Sequence, residues 1–232
     1  MKKNKQYRLV LLTVNRIGGI NKYSKIFLGT MLLRKIRHPE EGLRVIVKKT
    51  MKTMGKRYSH YPQKDKDDEM MRQISIQALD QTEETYGKTD LVDVGVDKCL
   101  YDLESALEHA RLPEDCILDG ETVSSVFKYL KKEVKIFLMI GNIRDIDDDE
   151  ITFIADLYKQ SKLDPNANIN TIVMRLMEKN GELTSVAEED KEKVVKQKIE
   201  NLETIRLPKE WKIEGDDVLS GILLHLKEET SE

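Results

Sequence analysis

Residues 96–111, VDKCLYDLESALEHAR, decide the fold class. Val96, Cys99, Leu100, Leu103, Ala106, Leu107 and Ala110 recur at steps of three and four. That spacing gathers them on one side of an α-helix. Pro113 lies just beyond and predicts the end of the helix.

The same period returns on both sides of this stretch. Val123, Val126, Phe127, Leu130 and Val134 predict a helix that Asp119 or Thr122 starts. Ile136-Phe137-Leu138-Met139-Ile140 follows as either its continuation or a short buried strand. Asp147 to Glu150 precede Ile151, Ile154, Ala155, Leu157 and Tyr158, and acids suit the positive end of a helix dipole. Asn168 or Asn170 caps a short helix through Ile172, Val173, Leu176 and Met177, closed by Asn180-Gly181. A highly charged helix over about 187–205 has only Val195, Ile199 and Leu202 facing inward. Pro208 and Trp211 mark a loop, and a last helix covers about 216–228.

Toward the amino terminus, residues 7–15 are β-branched and aliphatic enough for a buried strand. Ile17-Gly18-Gly19-Ile20 is a turn, and Asn21 caps a helix over 22–37. Pro39, Glu40 and Glu41 read as the first turn of a helix over about 40–54. The carboxyl side of the following segment, about 67–86, carries another helical stripe from Met70 to Leu79. The expected fold is therefore mainly α, a multi-helix domain with at most a minor β element near residues 7–15 and 136–140.

The 232 residues suffice for one large domain or two small ones, and 39% of them are apolar. Two cysteines, Cys99 and Cys116, form no CxxC or Cys/His cluster, which points to a reducing compartment. No run of about 18 apolar residues suggests a membrane span, and the Leu9–Leu12 run is too short for a signal sequence. A cytoplasmic location is expected.

The net charge of −3 hides a division. Residues 1–60 hold sixteen Lys and Arg against two acids, Glu40 and Glu41. The remainder carries 23 basic and 40 acidic residues. The sign changes across residues 55–68, which read as a linker. Two parts are expected: a basic segment over 1–62 and an acidic helical domain over 63–232. Such asymmetry points to a part that meets polyanions beside a solvating part.

The helix near 40–54 concentrates this charge. Leu43, Ile46, Val47, Thr50, Met51 and Met54 share one face. Arg44, Lys48 and Lys52 line up four apart on another, with Lys49 beside them. Like charges at that spacing repel by a few tenths of a kcal/mol each, and a bound anion relieves the repulsion. A solvated amphipathic helix accounts for the same pattern. Lys56 and Arg57 follow, interleaved with Tyr58, His60 and Tyr61, a mixture suited to phosphates and bases.

Other chemistries find little support. His38, His60, His109 and His225 lack metal-ligand spacing. Asp164 to Asn168 alternate like calcium ligands, but Ile169 and Arg175 stand where an EF-hand loop needs glycine and glutamate. Asp145, Asp147 and Asp149 suit a helix start better than a cation. Arg16 to Lys22 lacks the order of a phosphate-binding loop. No nucleophile motif is present, and the helices near 97–111 and 121–133 are too far apart for a helix-turn-helix. No metal or cofactor is expected, and no enzymatic activity.

Two functions remain. The leading expectation is a non-enzymatic nucleic-acid-associated protein. Its contacts are Arg44, Lys48, Lys49, Lys52, Lys56 and Arg57, which would position it on phosphates without reading sequence. The acidic helices would mediate assembly or recruit a partner. The alternative is a structural or adaptor subunit of a large assembly whose basic segment docks on an acidic protein surface, including a second copy of the chain.

Overall fold

The computed structural model describes residues 2–58, 89–209, 211 and 217–230. Within them the chain forms nine helices: α1 (Lys2–Asn15), α2 (Lys22–Arg37), α3 (Leu43–Tyr58), α4 (Thr89–Glu108), α5 (Thr122–Ile140), α6 (Asp148–Leu163), α7 (Ile169–Lys179), α8 (Glu188–Glu203) and α9 (Val218–Thr230). The protein is mainly α. Among the described residues no helix is long and apolar enough to cross a membrane.

The strand expected over 7–15 is helical, and of the two readings of 136–140 the helix continuation holds; the burial pattern gives the reason for both. In α1, Leu9, Val10, Thr13, Val14 and the following Ile17 are buried. Those are steps of one, three and four, so tertiary packing overrides the β-branched composition. Residues 136–140 end α5. Val123, Phe127, Leu130, Val134 and Phe137 are all buried at alternating steps of four and three, so the last turn extends the same apolar face. The sole β-type pairing among the described residues is a bridge between Gly18 and Arg111.

The chain divides into two compact units, Met1–Val134 and Lys135–Glu232, with the division inside α5. The expected boundary at 62/63 lies outside the described residues, as does the helical stripe at 67–86. The basic helices α1–α3 belong to the same unit as α4 and the first part of α5.

In the first unit, α1 and α2 form a hairpin. Lys25 Nζ reaches the Asn15 carbonyl, and Gly29 lies against Leu11 and Val10. Contacts that run backwards along the chain in this way mark antiparallel helices. The turn between them uses Gly19 at φ 79°, a left-handed conformation that favours glycine. It is pinned by two backbone hydrogen bonds: Gly18 N–H donates to Arg111 O at 2.8 Å, and Arg111 N–H donates to Gly18 O at 2.9 Å. Asn21 caps α2 by accepting from Ser24 N–H at 2.8 Å. Below the turn, Arg16 Nε faces the buried Glu133 carboxylate of α5 at 3.9 Å. Nearby, the Tyr129 hydroxyl donates to Asp115 at 3.2 Å. Burial and the Glu133 and Asp115 charges push that hydroxyl's pKa well above its usual value.

The start of α5 is set from outside its own sequence. The Glu104 carboxylate on α4 accepts from the backbone N–H groups of Thr122 and, at 2.7 Å, Val123. These are donors that a helix cannot satisfy internally.

In the second unit, α6 opens with a reciprocal capping box. Asp147 accepts from Glu150 N–H, and the Glu150 carboxylate accepts from Asp147 N–H. The acids at this helix start thus act as caps. Helix α7 closes with Gly181 at φ 77° and hydrogen bonds from Glu182 N–H to Met177 O and from Gly181 N–H to Glu178 O. That pair defines a Schellman motif. Tyr158 is buried on α6, and its hydroxyl donates to Leu226 O on α9 at 3.2 Å. Glu203, at the end of α8, caps α9 by accepting from Val218 N–H and Leu219 N–H at 2.6 and 3.2 Å.

Candidate functional site

The cationic row lies on α3, which starts at Leu43, three residues later than the sequence suggests. Glu40 sits in a turn after α2, and Ile46 N–H reaches back to Gly42 O at 3.1 Å. Of the expected apolar face, Ile46, Val47, Thr50, Met51 and Met54 are buried and Leu43 is half-buried. Arg44, Lys48, Lys49 and Lys52 are all exposed. Lys56 and Arg57 belong to α3, and Lys56 continues the four-residue step of Arg44, Lys48 and Lys52. The side chains of Lys56 and Arg57 lie outside the described residues, as do residues 59–62 and their aromatic groups.

The four described cations are not equivalent. Lys49 Nζ donates to Glu41 Oε1 at 2.6 Å. Glu41 also receives a two-pronged bond from Arg34, at 2.6 Å from Nε and 2.8 Å from Nη2. Arg34 first, and Lys49 second, hold the Glu41 carboxyl down at about 2. Lys35 adds a bond from Nζ to the Glu41 carbonyl at 2.7 Å. Glu41 therefore fastens the end of α2 to α3 rather than opening a helix.

Arg44 pairs with Asp97 of α4, and its guanidinium holds that carboxyl below the usual carboxylate range. Lys48 and Lys52 are one helical turn apart and make no hydrogen bond or ion pair among the described residues. Of the sequence-derived set, α3 thus presents two cations held in intramolecular pairs and two facing solvent alone.

His38, Glu40 and Glu41 come together at the α2–α3 junction, with potential ligand atoms within 4.8 Å of one another. Histidine spacing alone does not reveal this cluster. His38 Nδ1 is 3.6 Å from Glu40 Oε1. Both oxygens of Glu41 are already engaged by Arg34 and Lys49. Their positive charge opposes a metal ion at the same carboxylate.

Sequence reasoning missed Asp97 and the true role of Glu41. Asp97 is 53 residues from Arg44, and its place on the polar side of α4 carried no signal that it faces another helix. Glu41 did carry one, the only acidic pair in a basic segment. With the helix start placed at 40, the pair reads as part of a first helical turn and its bond to Arg34 stays hidden.

No protein-family model, no curated protein and no solved structure matches this chain.

Proposed function

We propose that this chain is a non-enzymatic nucleic-acid-associated protein that engages phosphates through the exposed face of α3. The observation that carries the reading is the pair Lys48 and Lys52, exposed, one turn apart and without an intramolecular counter-charge among the described residues. Two ammonium groups in that relation repel, and a phosphate between them turns the repulsion into attraction. By helix geometry the row from Arg44 to Lys56 is about 18 Å long. A duplex strand winds away from a straight helix, so a row of this length meets only some of the phosphates it passes. Lysines on a rigid helix fix position on a backbone and read no bases. The acidic helices, which repel nucleic acid, are left for assembly or for a protein partner.

A second reading, an adaptor subunit docking on a protein surface, is favoured by a different observation. Ile117 and Leu118 are 77% and 51% exposed in the α4–α5 loop, and adjacent exposed aliphatic side chains favour a protein contact.

The test is fluorescence anisotropy of labelled single- and double-stranded DNA and RNA with the full chain across a salt series. Phosphate binding gives affinity that falls linearly in log–log form with salt. Absence of binding at low salt, together with a mass above 26.9 kDa that depends on concentration, would select the adaptor reading.

A further inference from the structure

We infer that Asp97 is a built-in competitor of the α3 face, an intramolecular carboxylate occupying the position on Arg44 that a phosphate oxygen would take. This inference rests on the nucleic-acid reading and adds its regulation.

Three observations combine. First, Arg44 heads the row that continues through Lys48 and Lys52, so its guanidinium is the first of the evenly stepped cations. Second, its Nη1 is bonded to Asp97 Oδ1 on α4. A carboxylate and a phosphate present similar anionic oxygens to a guanidinium, and the two compete for the same N–H groups. Third, the pair is open to solvent: the Arg44 and Asp97 side chains are 55% and 59% exposed. A buried partner would resist exchange. An exposed one separates at little cost, so an incoming phosphate can displace it.

Glu41 does not share this property, although it also holds a cation of the row. Its side chain is only 11% exposed, and Arg34 clamps it from the other side. Lys49 is thus held by a structural carboxylate and Arg44 by an exchangeable one. Free protein has a muted face in which Lys48 and Lys52 make the first contacts. Exchange of Asp97 for a phosphate oxygen on Arg44 adds a contact, so Asp97 tunes the affinity of the interface without touching the ligand.

The experiment measures binding of a labelled single-stranded DNA at low salt by the full chain and four variants: Asp97→Asn, Arg44→Ala, the double variant Arg44→Ala/Asp97→Asn, and Glu108→Gln. Glu108 is an exposed acid of the same helix. Its replacement controls for the loss of one negative charge. The expected result is that Asp97→Asn binds about two- to fivefold more tightly, the range an exposed ion pair can withhold. Glu108→Gln gives a smaller change, and the gain disappears in the Arg44→Ala background.

Salt-dependent binding by the wild type with no gain in Asp97→Asn overturns the inference and leaves the reading beneath it intact. A gain that persists without Arg44, or one that Glu108→Gln equals, also overturns it by reducing the effect to net charge. Failure of both the wild type and Asp97→Asn to bind overturns the nucleic-acid reading and the inference with it.

Discussion

Arg44 of α3 and Asp97 of α4, 53 positions apart in the chain, form an ion pair at the edge of a cationic helix face. Both side chains are more than half exposed, so water and salt screen their attraction. Asp97→Asn should therefore leave the thermal unfolding midpoint near that of the wild type, measured by circular dichroism at 222 nm. A large drop would make the pair structural and remove it from any exchange with ligand.

Glu41 should behave in the opposite way. Its folded-state pKa of about 2 lies below that of an unfolded glutamate, near 4.3. The stabilisation from Arg34 and Lys49 is full above the unfolded value and is lost as pH falls through the folded one. Denaturant midpoints followed from pH 6 to pH 2 should decline, and the decline should be shallower in Glu41→Gln. Parallel curves for the two proteins would mean that the Arg34–Glu41–Lys49 cluster contributes nothing to the linkage.

Glu104 replaces a local cap for α5. Glu104→Ala leaves the N–H groups of Thr122 and Val123 without their acceptor and should cost about 1–2 kcal/mol in urea unfolding. Glu104→Gln keeps an acceptor oxygen and should cost less. Equal losses in the two variants would attribute the effect to packing instead of capping.

At Gly29 the α1–α2 hairpin is tightly packed. A methyl group there would already approach Leu11 Cδ2 to 3.2 Å. Gly29→Leu should wedge the helices apart and lower stability by about 1–3 kcal/mol. An unchanged midpoint in thermal or denaturant unfolding would contradict the hairpin packing.

The two thiols should separate in a timed reaction with a thiol-specific reagent. Cys99 is buried, and desolvation with the Asp102 charge pushes its pKa up to about 12, which suppresses the reactive thiolate. Cys116 is only half-buried. One fast equivalent assigned to Cys116 and one slow equivalent at Cys99 are expected. Fast modification of Cys99 in the folded protein would show that α4 is not packed as described.

Much of the helical architecture was legible because apolar period is a local signal. The bounds of α2 and its Asn21 cap are local signals, and so are the acids at the start of α6, although their capping box is not, and the Asn180-Gly181 stop of α7. What failed was non-local. Residues 7–15 have strand-like composition, and only their partners reveal which period is buried; the same composition at 136–140 left helix and strand both open. Glu104 capping α5 and Asp97 meeting Arg44 depend on α4 facing two other segments, which no local spacing encodes. The basic row itself was readable, but its division into paired and unpaired cations was not.

The most direct test of the cationic-face account is the salt dependence of nucleic-acid affinity in the wild type and in Lys48→Ala/Lys52→Ala, read by fluorescence anisotropy on one labelled duplex. If Lys48 and Lys52 each neutralise a phosphate, the double replacement should weaken binding and make the log–log slope shallower by about 1.8. Identical slopes and affinities in the two proteins would contradict the account and remove α3 from the interface.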